Sequence, residues 1–441
     1  MTPAQKINNL WCRSFNFYTE SIFKNNSGAM LDSKNNEPVN SNSWLNRNTV
    51  GMSLTSFFSD ACHEMATAIL PGFLSTIGAP PSALGIIEGT ADAISSFVKL
   101  GAGWISDKFG HRKFLTTLGY FLTGFSKALF ALASTWHLVF TGRVIGWLGR
   151  GIRGPIRDAM LTDSVSEKDR GKAFGFHRAG DTLGAIVGPI IGIWLLSVWQ
   201  PFAIDDPSKP FRNIFLVTLI PGILSVLTFA LLVTEKRKEI NHGLKFWITL
   251  KGLPHSFRKY LVGIGIFGAG DFAPTFLILA ATTLLTPQYG IIKAAQLAGI
   301  MYIVRNIVYA LASFPIGALS DKIKRVYLLS AGYFIAVLTM IGFILAFAFN
   351  YTNLFYLFSL FVLAGIYISA EDTLESAITA DLISSETRGI GMGVLGTVNG
   401  LGDFISSILI GFIWTAISPA IGFAVAGVLM LIGTFVIVLH K

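Results

Sequence analysis

From Met52 onward the chain alternates runs of about twenty mostly apolar residues with short polar breaks. A run of that length crosses the hydrocarbon core as a helix, because a helix satisfies its own backbone where no water can. Twelve such runs are predicted, at about 51–77, 83–106, 113–133, 136–160, 171–198, 212–233, 260–284, 294–319, 327–348, 352–380, 389–415 and 418–439. Residues 1–48 break the pattern: they are polar, rich in Asn and Ser, and hold no continuous apolar core of the kind a signal peptide needs. They are predicted to be a disordered tail, with a short surface helix around Leu10 to Phe23.

Composition supports the membrane reading. Of 441 residues, 52% are hydrophobic and 13% charged, against about 25% charged in a soluble domain; the mean hydropathy is +0.60. The net charge of +9 lies largely in alternate breaks: Lys108, Arg112 and Lys113; Lys168 and Arg170; Lys236 to Lys251; Lys322, Lys324 and Arg325. The opposite breaks hold few bases, Lys209, Arg212 and Lys293 being the exceptions. Lys and Arg stay on the cytoplasmic side, so both termini are expected in the cytoplasm. The charge is therefore topology and attraction to anionic lipid rather than a nucleic-acid surface. Cys12 and Cys62 form no disulfide framework.

The chain also repeats itself. "GWISDK" from Gly103 recurs as "GALSDK" from Gly317, 214 positions later, and "DSVSEKDRGKAFG" from Asp163 recurs as "DLISSETRGIGMG" from Asp381, 218 positions later. An all-α polytopic membrane fold follows, with twelve transmembrane helices in two pseudo-symmetric six-helix halves. The expected units are a tail (1–48), a first half (49–234), a basic cytoplasmic linker (235–259) and a second half (260–441). A site at the midplane between parallel halves is the usual consequence.

"GWISDKFGHRK" (Gly103 to Lys113) with its second copy resembles the loop-two signature of the major facilitator superfamily. The resemblance covers about residues 50 to 440 and implies alternating access. In that reading Gly103, Asp107, Gly110, Arg112 and Lys113 form a latch that holds the basic-loop ends together when the cavity faces outward. Arg157, Asp163 and Asp321 belong to the same set. A solvated, positive-inside loop is the plainer account of the same residues.

Two further motifs bear on the branch. Arg143, Arg150, Arg153 and Arg157 make one stripe on span four. Facing lipid, each would cost at least about 2.5 kcal/mol, so they line a cavity, pair with acids or, for Arg150 and Arg153, anchor at the interface. Arg143 with Gly146 and Gly149 resembles the family motif implicated in proton coupling. On span five Gly184, Gly188, Pro189 and Gly192 resemble the motif of the superfamily's drug:proton antiporters, departing from it at Ile193. Small residues every four positions also serve plain helix packing.

Ionisable residues inside the spans are the site candidates, since charge in hydrocarbon is costly and defaults to functional or paired roles. For proton coupling these are Glu64, Asp181 and Asp60, with Arg143 as the tuning partner; Glu64 is nearest the midplane, and Asp181 follows His177 by four residues and Arg178 by three. For the substrate cavity they are His63, Glu88, Asp92, His177, Arg178, Asp271, Arg305, Glu371 and Asp372. "HEMAT" lacks the second His of a zinc helix, and "GIGIFG" and "GMGVLG" lie inside spans with no strand before them, so no metal, cofactor or enzyme chemistry is expected. The reading is a monomeric, proton-coupled transporter of the bacterial inner membrane. It moves a small polar or amphipathic solute, by antiport in the export direction. The alternative is a proton symporter importing a polar metabolite or metal chelate, and behind it a sensor or channel.

Overall fold

The computed structural model describes residues 44–109, 111–166, 169–203, 205–235, 252–320, 322–383 and 388–439. Residues 1–43 of the predicted tail lie outside them, as does most of the basic linker; the last residues assigned to the tail, Arg47 and Asn48, already belong to the first helix. Among the described residues all regular structure is helical. In the first half these are α1 (Arg47–Thr76), α2 (Pro81–Phe109), α3 (Arg112–Leu132), α4 (Trp136–Asp163), α5 (Arg170–Trp199), α6 (Lys209–Val217) and α7 (Leu219–Leu232). The second half holds α8 (His255–Gly268), α9 (Thr275–Ser320), α10 (Arg325–Ala348), α11 (Leu354–Leu382), α12 (Arg388–Ala416) and α13 (Pro419–Leu439).

Helices lie at each of the predicted positions, and eight segments among the described residues are long and apolar enough to cross a membrane by length and composition. Those below that measure include α1, α2 and α4, the helices loaded with Asp60 and Glu64, with Glu88 and Asp92, and with the arginine stripe. Large apolar side chains point outward: Phe314 and Phe355 are more than four-fifths exposed. In water such a surface would be a liability; against lipid it is the solvated state.

Local signals set several boundaries. Asn46 caps α1, its side chain accepting from the amides of Asn48 and Thr49 at 2.9 and 3.0 Å. Gly290 divides α9 into two spans, with φ 73° and ψ 161° that a β-carbon would oppose. Span six runs through α6 and α7 as one segment, with Thr218 helical between them: its amide donates to the Ile214 carbonyl at 2.9 Å and its carbonyl accepts from the Gly222 amide at 3.1 Å. Span seven differs from the unbroken run predicted for it. The seventh unwinds between Gly268 and Thr275, in the sequence Gly-Ala-Gly-Asp-Phe-Ala-Pro. Side chains of α12 take up the freed backbone groups: Ser407 Oγ accepts from the Ala273 amide at 3.1 Å, and Ser406 Oγ donates to the Asp271 carbonyl at 2.6 Å. Broken helices are tolerated at membrane depth where protein supplies such partners.

Packing within the first half rests on a glycine ladder. A β-carbon on Gly180 would lie 2.6 Å from the Ser53 carbonyl, one on Gly188 2.8 Å from Cα of Ala61, and one on Gly192 2.9 Å from the Met65 side chain; one on Gly184 would overlap the Phe57 carbonyl. Four-residue steps on both α5 and α1 keep the two backbones in contact for three turns, in parallel. Gly184, Gly188 and Gly192 of the predicted set therefore pack α5 on α1, and Gly180 extends the row; Pro189 lies within the same helix.

Between the halves, α2 packs on α12, and α9 on both α1 and α5. The contact is tight at the end away from the basic loops. A β-carbon on Gly89 would lie 2.9 Å from the Phe404 carbonyl and one on Gly72 2.7 Å from Cβ of Ala295, and Thr415 Oγ1 accepts from the Ser82 amide at 2.8 Å. Toward the basic-loop end the halves part: Gly154 and Gly396 have nothing within 4 Å of a built β-carbon, and both line an open vestibule.

Candidate functional site

Two adjoining compartments lie between the halves, a deep chamber of about 290 Å³ and a vestibule of about 670 Å³, with Arg150 in the wall of both. Their residues come from α1, α2, α4, α5, α9, α11, α12 and the unwound segment, so the cavity exists only once these are packed.

The arginine stripe of α4 forms one wall. Arg143 donates from Nε and Nη2 to Glu88 Oε2 at 3.0 and 2.8 Å and from Nη1 to Thr67 Oγ1 at 3.2 Å. Both partners are nearly sealed, their side chains 3% and 2% exposed. The sequence-based expectation made Arg143 the tuning partner of Glu64 or Asp181; the structure gives it to Glu88, which the fall of the α2 helix brings to the same depth. Trp147, one turn below, is flanked by the guanidiniums of Arg143 and Arg150, 5.6 and 5.1 Å from its ring, and meets His63 edge-on. Arg150 and Arg153 both face the single carboxylate of Asp60, at 3.5 and 3.7 Å. Arg153 also lies over the Tyr120 ring at 4.3 Å. Arg157 bonds its neighbour Asp158 at 2.8 Å and reaches Ser56 at 3.1 Å.

Glu64, the first candidate for coupling, accepts a 2.8 Å bond from the Tyr302 hydroxyl, which belongs to the other half. Tyr302 was missed, although it stands 214 positions after Glu88, the repeat offset itself. Asp181 lies in the vestibule with His177 Nδ1 at 3.7 Å. His177 was expected in the cavity wall; instead it is buried between α1 and α5, its Nε2 2.7 Å from Ser56 Oγ. Arg178 lines the vestibule with Asp181, as expected, and its Nη2 also reaches across to Tyr309 at 3.3 Å, while Tyr309 donates to Asp372 at 2.8 Å. The three residues make a bridge between the halves.

The second half supplies the acidic wall. Asp271, held at the unwound segment, accepts from Tyr367 at 3.3 Å. Glu371, Asp372 and Asp403 share the deep chamber with it, as do Arg305, His63, Glu88 and Asp92. Arg305 donates to Asn306 at 3.0 Å. Glu375, one turn from Glu371, is bonded by Tyr333 and, at 2.7 Å, by Asn399. Among the described residues no group of three or more His, Cys, Asp or Glu side chains is placed to hold a metal ion.

The latch candidates stand at the basic-loop end. Arg112 bonds Asp163 at 2.9 Å, and the amides of Arg112 and Lys113 donate to the Glu235 carboxylate at 2.8 and 3.1 Å. These bonds lie within the first half, and Arg325–Asp381 repeats the first of them in the second half at 2.5 Å. Gly110, Asp321, the Asp107 side chain and the surroundings of Gly103 lie outside the described residues.

Comparison with known proteins matches this architecture. Residues 52–295 and 261–441 match the Major Facilitator Superfamily. The chain is 31% identical over 402 residues to the uncharacterized MFS-type transporter MJ1317 of Methanocaldococcus jannaschii, covering 90% of this chain and 95% of that one. It is 25% identical over 234 residues to the quinolone resistance protein NorA of Staphylococcus aureus, covering 48% of this chain and 60% of that one. Among solved structures it resembles the nucleoside transporter NupG, with a TM-score of 0.71 at 13% identity over 89% of this chain and 98% of that one. A bacterial homolog of the human lysosomal transporter Spinster in an inward-facing, occupied conformation gives a TM-score of 0.69 at 17% identity, over 89% and 96%. Two helical halves around a charged, membrane-embedded cavity and these matches lead to one conclusion: the chain belongs to the major facilitator superfamily and is a multi-pass membrane transporter of a small-molecule substrate.

Proposed function

We propose that the protein is a proton-coupled secondary transporter that exports a small polar or amphipathic solute across the cytoplasmic membrane by antiport, with both termini in the cytoplasm. The observation that carries the reading is the deep chamber itself: carboxylates of both halves meet there, sealed from one face and open to the other. Such a chamber gives alternating access by rocking one half on the other. The tail (1–48), the halves (49–234 and 260–441) and the linker (235–259) are the units of that motion.

Glu64 is the first choice for the proton carrier and Asp181 the second. A carboxylate that accepts from Tyr302 of the opposite half is sensitive to the rocking that separates them, so proton occupancy and conformation are linked at one bond. The latch of Asp107, Arg112 and Asp321 acts in the opposite, outward-facing state. The similarity to a quinolone resistance protein supports the outward direction.

Proteoliposomes holding a pH-sensitive dye test this reading. Compounds from a metabolite and drug library are added against an imposed pH gradient. Antiport predicts solute movement against the proton flux, and symport the same direction for both. Glu64→Gln or Asp181→Asn should abolish gradient-driven accumulation while leaving exchange at equal pH intact. Full accumulation in both variants overturns the assignment, and Glu371 and Asp372 become the next carriers to test.

A further inference from the structure

Arg153 and Glu371, and likewise Arg157 and Glu375, stand 218 positions apart, the offset that relates Asp163 to Asp381. The ion pairs Arg112–Asp163 and Arg325–Asp381 hold α4 and α11 in the same register within their halves. Equivalent positions of the two halves thus carry opposite charges. Tyrosine accompanies both: Tyr120 lies under Arg153, and Tyr333 bonds Glu375.

The cavity follows this inversion. The vestibule is walled by five basic side chains against three carboxylates, and the deep chamber by seven carboxylates against three arginines. Each wall also keeps unused bonding capacity. Arg150 and Arg153 share one Asp60 oxygen at 3.5 and 3.7 Å, beyond the roughly 2.7–2.9 Å of a full charge-assisted bond. Arg153 Nε has no hydrogen-bond partner. On the other wall Glu371, only 7% exposed, has Oε2 without a partner. Buried polar atoms left open in this way are costly unless a ligand completes them. A solute bearing only a cation would leave the arginines unmatched, and one bearing only an anion would meet the surplus of acids.

Resting on the transport reading above, we propose that the cavity selects solutes that carry an anionic group and an ammonium group on one molecule. The anionic group sits on Arg150 and Arg153 at the vestibule end. The ammonium sits on Glu371 and Asp403 in the deep chamber.

The test uses the full-length protein and a panel of amino acids and dipeptides, each with its methyl ester and its N-acetyl derivative. Binding is read from thermal stabilisation, and movement from counterflow in proteoliposomes. Zwitterions should bind, with esters and N-acetyl forms at least tenfold weaker. Arg150→Gln should remove the penalty on the ester alone, and Glu371→Gln the penalty on the N-acetyl form alone. Arg150→Lys and Glu371→Asp, which keep the charges, should retain the preference for zwitterions and report on folding. Equal or stronger binding of the singly charged forms to the native protein, or no binding by any zwitterion, overturns the inference. Proton-coupled movement of a singly charged compound alone would sink this inference and leave the transport reading standing. A zwitterion that binds and exchanges without proton movement would do the reverse to the coupling.

Discussion

The Arg143–Glu88 pair offers a quantitative test of how the first half carries charge inside the membrane. Its side chains are 3% and 2% exposed, and two guanidinium nitrogens bond one carboxylate oxygen. Removing one partner strands the other in low dielectric, which costs about 3–5 kcal/mol. Replacing both by apolar residues of similar size removes the stranded charge as well as the bond, and is often neutral or mildly stabilising. Glu88→Leu and Arg143→Met should therefore each destabilise strongly, while the double variant should regain most of the loss. The expected coupling energy is about 3 kcal/mol or more, toward the upper end of values for residues in contact. In thermal terms each single variant should melt on the order of 3–6 °C lower, at about 1 °C per kcal/mol for a chain of this length. Cys62 provides the probe: it is buried and unpaired, so in a Cys12→Ser background a fluorogenic maleimide reacts with it on unfolding. Unfolding of such a protein is irreversible in general, so apparent midpoints are compared at one heating rate. If the double variant is as unstable as the sum of the singles, the pair is not coupled and the account of the buried wall fails. All three variants should lose transport, because both side chains face the chamber.

Other outcomes follow from the same geometry. Gly188→Ala drives a β-carbon into the Ala61 backbone and should cost about 1–3 kcal/mol, whereas Gly175→Ala, with open space around it, should be neutral or gain up to about 1 kcal/mol; equal midpoints for the two would refute the ladder. Tyr302→Phe removes the bond to Glu64 while keeping the ring, and should weaken gradient-driven transport with little change in midpoint; native rates would separate Glu64 from the rocking motion. Asn241→Cys, in a background free of Cys12 and Cys62, should be shielded from membrane-impermeant reagent added outside intact cells, and outside labelling would invert the topology. Asp107→Asn should leave the protein folded and cut transport severely, whereas native rates would assign the stretch to a solvated loop.

Much of the fold was legible in the sequence because hydrocarbon imposes one length and one polarity on every span, and the positive loops alternate with it. The repeat at 214 and 218 positions pointed to two halves, and the cost of embedded charge was enough to single out Glu88, Asp271, Arg305 and Glu371, which line the deep chamber. Pairing was not legible, because it depends on how helices distant in the chain rotate and approach. Only the packed structure gave Arg143 to Glu88 rather than to Glu64, sent Arg178 to Tyr309 and buried His177 against Ser56. It also decided that span seven unwinds at Asp271, since hydropathy averages over the Gly-Ala-Gly-Asp-Phe-Ala-Pro segment, whereas the serines that satisfy its backbone stand 134 and 135 residues away on α12. Local physics sets which segments enter the membrane; which charges meet there is a property of tertiary contact, where the energy of each depends on a partner from another helix.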